Sequence, residues 1–135
     1  MTQRQVASVA SPAESLGALL GESGGRLAAA GIDQPALEAA WLVEYVLSLS
    51  PLMQRVDAER RITAADCERV RALVARRANR EPLQYVLGTQ EFYGRDFCVT
   101  PSVLIPRQES ALLVDEAVRR CAHTPSATVV DVGTG

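Results

Sequence analysis

At 135 residues, 47% of them apolar and 22% charged, the chain can build one ordinary domain, or a small domain and part of another, and it lacks the composition of a disordered protein. Its net charge of −2 excludes a whole-molecule field that would gather nucleic acid or an anionic membrane, so any basic partner site is local. All 14 basic residues are arginine, a compositional bias without a functional reading, because an arginine fork is not needed at every surface position.

Residues 1–10 read as a loose tail. From residue 11 to residue 87 the apolar period is helical. Ser11 and Pro12 make a cap and first-turn pair, and Leu16, Leu19, Leu20, Leu27 and Ala30 carry a stripe that ends at Gly31. Ser23-Gly24-Gly25 is the expected weak point, since each glycine costs about 1 kcal/mol relative to alanine inside a helix. Asp33 is placed to cap a second helix with Pro35 in its first turn. Leu37, Trp41, Leu42, Tyr45, Val46 and Leu49 cover most of its circumference, which predicts a place in the middle of a bundle. Glu44, on the same helix, is expected to cap a neighbouring backbone group or to pair with an arginine. Leu52, Met53 and Val56 after Ser50-Pro51 predict a short third helix or turn. Thr63-Ala-Ala-Asp66 has the form of a capping box with Asp in place of Glu, and Cys67, Val70, Leu73, Val74 and Ala78 form the stripe of a fourth helix. Pro82 opens a brief fifth helix that Gly88 stops.

After Gly88 the pattern changes. Two β-prone runs, residues 91–94 and 96–100, flank Gly94-Arg95 as in a hairpin. Pro101 and Pro106 bracket an extended stretch, residues 108–121 return to the helical period, and residues 128–132 read as a buried strand entering a glycine turn. The order is helices, hairpin, then helix, strand and glycine turn. A lone strand of that kind is not a stable sheet, so the second part reads as the unfinished beginning of an α/β domain.

Cys67, Cys98 and Cys121 are odd in number, widely spaced, and without a histidine at metal-binding distance in sequence. Reduced thiols in a cytoplasmic protein and no metal site are expected. No signal pattern opens the chain, and the longest apolar stretch, residues 39–49, holds Glu44 and is too short to span a bilayer. Residues 55–80 hold eight arginines against four acidic residues, a solvated helix face by default and otherwise a local positive surface for an acidic protein or RNA. His123 has no partner in sequence and is assigned no role.

Asp131-Val-Gly-Thr-Gly135 by itself fits a dinucleotide site, an S-adenosylmethionine site or a plain turn. The residues upstream are more specific. E-P-L-x-Y-x-L-G from Glu81, E-F-Y-G from Glu91, V-x-P-x-V-L-I-P-R from Val99 and D-x-G-T-G from Asp131, in this order, resemble the HemK/PrmC family of peptide chain release factor N5-glutamine methyltransferases. The resemblance is weak over the whole chain and strong over residues 81–135.

After the tail at 1–10, the resemblance implies a helical substrate-recognition domain at 11–87, a β-hairpin linker at 88–105 and the start of a Rossmann-like S-adenosylmethionine domain at 106–135. It places Asp131, Gly133, Thr134 and Gly135 in the cofactor loop and brings Arg107, Glu109 and Ser110 to the cofactor pocket. The residue-level alternative is that Arg107 is a solvated loop residue and Glu109 favours the first turn of the next helix. Where the family usually has Pro-Glu-Thr, this sequence has Gln108-Glu109-Ser110, which loosens the turn a proline would fix. The implied partners are class 1 release factors, with no membrane, no direct nucleic-acid contact and a monomeric state expected. The family's catalytic Asn-Pro-Pro-Tyr motif is not among the 135 residues, so no catalytic residue is assigned and these residues alone are expected not to methylate. A sibling enzyme acting on a ribosomal-protein glutamine, and a non-catalytic helical module that docks on a release factor or RNA, are the alternatives. Phe92 and Tyr93 are expected to pack the hairpin against its domain rather than to line a pocket mouth.

Overall fold

The computed structural model describes residues 14–124 and 126–133. The expected tail and the Ser11-Pro12 cap lie outside the described residues. The chain is mainly helical and divides into two units, one ending at Val86 and the other beginning at Leu87.

The first unit contains α1 (Leu16–Ala29), α2 (Pro35–Leu47), α3 (Pro51–Val56) and α4 (Ala64–Ala78), and α5 (Leu83–Leu87) runs across its boundary. Two-residue strands β1 (Glu14–Ser15) and β2 (Arg61–Ile62) pair antiparallel. Helix α1 is capped by Ser15, whose Oγ accepts from the Ala18 N–H at 3.3 Å. Its next free N–H groups are taken from a distance: Leu16 donates to the Arg60 carbonyl and Gly17 to the Ala58 carbonyl. Long-range backbone bonds thus satisfy donors that every helix start leaves open.

Ser23-Gly24-Gly25 does not break α1. Ser23 is buried, and a Cβ on Gly24 would lie 3.8 Å from Ala36 Cα, so the small residues let α1 and α2 approach closely. The helix ends with Gly31 at φ +70, its N–H bonded to the Ala28 carbonyl and that of Ile32 to the Leu27 carbonyl. This is a Schellman ending with buried Ile32 against buried Leu27.

The core comes from Leu16, Leu19 and Leu27 of α1, Ala39, Leu42 and Val43 of α2, and Cys67, Val70 and Val74 of α4. Each buried leucine contributes about 2 kcal/mol of apolar transfer free energy. Two expectations for α2 fail. Gln34, not Asp33, occupies the cap position and makes no side-chain cap bond, because Pro35 at the first helical position already lacks one of the donors a cap would satisfy. The helix is also not enclosed: Leu37, Trp41 and Tyr45 are 39%, 39% and 53% exposed, since α1, α3 and α4 cover only its opposite side. Glu44 makes no side-chain hydrogen bond or ion pair among the described residues, so its expected capping or arginine partner is absent there; only its backbone carbonyl is used, by Ser48 N–H.

Helix α3 turns the apolar residues expected of it outward, with Leu52 and Val56 exposed, and buries Gln54 instead. Gln54 Nε2 donates to the Ala40 carbonyl at 2.9 Å and the Leu49 carbonyl at 2.7 Å, tying α3 to the middle of α2 and to the segment that follows it. The box at α4 forms in a modified way. Thr63 Oγ1 accepts from the Asp66 N–H and donates to the Asp66 carboxylate.

In the second unit, β3 (Thr89–Phe92) and β4 (Arg95–Cys98) form the hairpin, with Gln90 opposite Phe97 and Phe92 opposite Arg95. The turn is Tyr93-Gly94, one residue earlier than the sequence suggests. Both residues have positive φ, 53° and 72°, the requirement of a two-residue turn matched to strand twist. The Glu91 carboxylate accepts the Gly94 N–H at 2.6 Å. Residues 100–103 turn through a Val103 N–H to Thr100 carbonyl bond, where extended chain is expected. A 3₁₀ turn at Gln108–Ser110 leads into α6 (Ala111–Cys121).

The expected buried terminal strand does not form. Residues 127–133 hold no strand, and Val129, Val130 and Val132 are 65%, 77% and 89% exposed. Among the described residues no other strand pairs with this segment, and unpaired backbone groups cannot be buried at acceptable cost.

Candidate functional site

The residues that the sequence assigns to a cofactor fall in two places. Arg107 precedes the 3₁₀ turn, and Glu109 and Ser110 lie within it, all exposed. Ser110 occupies the N-terminal position of α6 without making a side-chain cap bond. Asp131 is exposed, and Gly133 has φ +81 with open space where a side chain would stand. Thr134 and Gly135 lie outside the described residues. No hydrogen bond or ion pair joins Arg107, Glu109 or Ser110 to Asp131 or Gly133 among the described residues.

This set fits a nucleotide-type cofactor in chemistry but not in enclosure. A left-handed glycine with an open side admits close approach of a ligand to the backbone, and a carboxylate two residues earlier can accept from hydroxyl or ammonium groups. A cofactor pocket also needs walls that exclude water, and the exposed valines beside Asp131 supply none.

The hairpin is fastened to the 3₁₀ turn and to α6. Tyr93 donates its hydroxyl proton to Asp115 at 2.6 Å, a bond that raises the phenol above its ordinary pKa. Gln108 Nε2 lies 3.4 Å from the Glu91 carbonyl, so the residue that replaces the family's proline supplies a weak tether of its own. Phe92 is half-buried and meets Phe97 edge-on with ring centroids 6.2 Å apart. These contacts give Phe92 and Tyr93 structural positions within the second unit.

The arginines of residues 55–80 are mostly neutralised where they stand. Arg60 pairs with Asp57, Arg69 with Asp66, Arg71 with Glu14, Glu22 and Glu68, Arg76 with Glu81, and Arg77 with Glu38. The count of eight against four misses Glu14, Glu22 and Glu38, which the fold brings from β1, α1 and α2, and Glu81 just beyond the stretch. Arg55, Arg61 and Arg80 make no ion pair among the described residues. Arg60 and Arg61 border a cavity of about 210 Å³ with Val46, Leu49, Ile62, Thr63 and Asp66.

A feature that the helical period hides is the row Leu37, Trp41 and Tyr45 on α2. Spaced by four residues, the three lie on one side of the helix and are exposed. Trp and Tyr are enriched among residues that dominate protein interfaces. Their exposure could not be read from the sequence, because every side of this helix carries apolar residues.

Residues 18–88 match the family model described as the PrmC N-terminal domain. The chain belongs to the PrmC family. It is similar to the release factor glutamine methyltransferases of Geobacter sulfurreducens, 48% identical over 111 residues, and Nitratidesulfovibrio vulgaris, 43% identical over 121 residues. The first alignment covers 82% of this chain and 38% of that relative, the second 90% and 41%. The Moorella thermoacetica enzyme of the same name is 41% identical over 116 residues, 86% of this chain and 41% of its own length. The chain thus spans about two fifths of the length of these relatives. Family membership makes it part of a methyltransferase family; the family model covers residues 18–88 and stops before the residues assigned to the cofactor, while the alignment over 90% of the chain extends past Arg107, Glu109 and Ser110.

Proposed function

We propose that residues 1–135 belong to an enzyme that transfers a methyl group from S-adenosylmethionine to the side-chain amide nitrogen of the glutamine in the Gly-Gly-Gln motif of class 1 release factors. In this reading the helical unit docks the release factor, residues 88–105 form a linker, and residues 106–135 begin a Rossmann-like cofactor domain. The single observation that carries it is the family match over residues 18–88. Asp131, Gly133, Thr134, Gly135, Arg107, Glu109 and Ser110 are assigned to the cofactor, which when bound supplies an electrophilic methyl group on a positive sulfur.

An amide nitrogen is a weak nucleophile because its lone pair is shared with the carbonyl, so the enzyme's task is to hold it in line with the methyl group. Alignment of this kind can contribute several kcal/mol to the barrier reduction. The acceptors that would fix the amide belong to an Asn-Pro-Pro-Tyr motif absent from residues 1–135. The contribution assigned to the described residues is therefore binding, and Leu37, Trp41 and Tyr45 are the proposed contact row. Pairing of five of the eight arginines in residues 55–80 favours a protein partner over RNA, since affinity for RNA depends on free cations.

Calorimetric titration of a class 1 release factor into the chain tests the docking role. Saturable 1:1 binding that falls at least tenfold in Trp41→Ala is expected. Binding that is absent, or unchanged by Trp41→Ala and Tyr45→Ala, refutes the assigned surface. Methyl transfer is tested on the longer enzyme by isotope transfer to the release factor and its loss when the acceptor glutamine is replaced.

A further inference from the structure

Glu81 opens one of the distinctive sequence motifs, yet nothing in the proposed cofactor or docking sites uses it. Its surroundings give it a different task. Helix α4 ends in a Schellman arrangement with Arg80 at φ +69, the Arg80 N–H on the Arg77 carbonyl at 2.9 Å and the Glu81 N–H on the Arg76 carbonyl at 3.3 Å. The side chains of the same two arginines then reach forward. Arg76 Nε and Nη2 donate to the Glu81 carboxylate at 2.8 and 2.5 Å, and its guanidinium also donates to the carbonyls of Tyr85 at 3.2 Å and Val86 at 3.4 Å. Arg77 Nη1 donates to the Glu81 carbonyl at 3.2 Å, while its Nε and Nη2 hold Glu38 on α2.

Glu81 is therefore held through its N–H, its carbonyl and its carboxylate, each time by Arg76 or Arg77. A carboxylate that served a ligand would face away from its own scaffold, and this one faces into it. Helix α5 has five residues, far below the length at which a helix is stable alone. Its final carbonyls have no donors within the helix. The Arg76 guanidinium supplies donors there and grips the carboxylate just before α5, so one planar group spans both ends of the element. The division into two units falls directly after Val86.

We propose that Arg76 and Glu81 are positioning residues, forming a latch that fixes the path of residues 81–87 where the chain leaves the helical unit. Opening the latch frees α5 while α1, α2 and α4 stay folded. The arginine hydrogen bonds hold the Glu81 carboxyl below its ordinary pKa, in keeping with a latch that is closed at neutral pH.

Hydrogen exchange on the 135-residue chain tests this. The Tyr85 and Val86 amides, both bonded to the Pro82 carbonyl, are expected to exchange at least tenfold faster in Glu81→Gln and in Arg76→Met. The amides of Leu42, Val43 and Val70 should stay within twofold of the parent. Arg76→Lys, which keeps the charge but loses the fork, should fall between. Equal acceleration in α2, α4 and α5 would reduce the pair to general stability and overturn the proposal, as would α5 amides unmoved in both variants. No cofactor or release factor enters the measurement, so its outcome is separate from that of the docking experiment.

Discussion

Alanine substitutions along α1 separate helix propensity from packing at four glycines of known surroundings. Inside a helix, glycine to alanine is worth about 1 kcal/mol when the new methyl meets nothing. Gly21 and Gly25 have no atom within 4 Å of a built Cβ, so each replacement should gain that amount. Gly24 would place its methyl 3.8 Å from Ala36 Cα, an ordinary contact, and should gain as much. At Gly17 the methyl would stand 3.3 Å from the Ala58 carbonyl oxygen and 3.5 Å from Ala58 Cβ, while the Gly17 N–H is held to that same carbonyl at 2.8 Å. Relief would stretch a bond that caps the helix start, and the net effect should be neutral or destabilising. For a helical unit of this size, 1 kcal/mol corresponds to a shift of about 4–8 °C in Tm. Thermal unfolding followed by circular dichroism at 222 nm gives the values. A loss of stability in Gly21→Ala or Gly25→Ala would refute a continuous α1, and a gain in Gly17→Ala equal to that in Gly25→Ala would refute the close α1 start.

Arg80 carries a left-handed backbone at φ +69, so Arg80→Gly should stabilise the unit by roughly 1 kcal/mol in urea unfolding, while Arg80→Val should destabilise it. Hydrogen bonds from Arg71, with its charge, hold the Glu22 carboxyl below its ordinary pKa of 4.5 against a smaller opposing effect of burial. Because the folded value is the lower one, this pair's contribution is complete above pH 4.5 and is lost as pH falls through the folded value. Urea midpoints between pH 7 and pH 3 should therefore fall less steeply in Glu22→Gln than in the parent, and parallel curves would refute the pairing. Burial, with the nearby Glu14 carboxylate, pushes the Cys67 thiol up, whereas Cys98 is exposed. A thiol reagent at pH 8 should label Cys98 at once and Cys67 only at the rate of unfolding; fast labelling of Cys67 would refute its place in the core.

The sequence determined the element order to a useful degree. Gly31 and Gly88 both adopt positive φ where the helical stripes stop, and Thr63 caps α4 with Asp66 as its spacing implies. These are local events, decided by backbone sterics and bonds three or four residues apart, and a single sequence contains all their terms. The tertiary structure alone decided which side of α2 is covered, because a helix with apolar residues around most of its circumference has no preferred face until its neighbours choose one. It also decided the charge of the arginine-rich stretch: Glu14, Glu22 and Glu38 reach their arginines from 39 to 57 residues away, beyond any local count. The latch on Glu81 lies between these cases, with Arg76 only five residues away but the Glu38 anchor of its neighbour brought in by helix packing. At residues 128–132 local preference marks a strand, and the described residues leave it unpaired, because a strand is stabilised by partners that its own sequence does not contain.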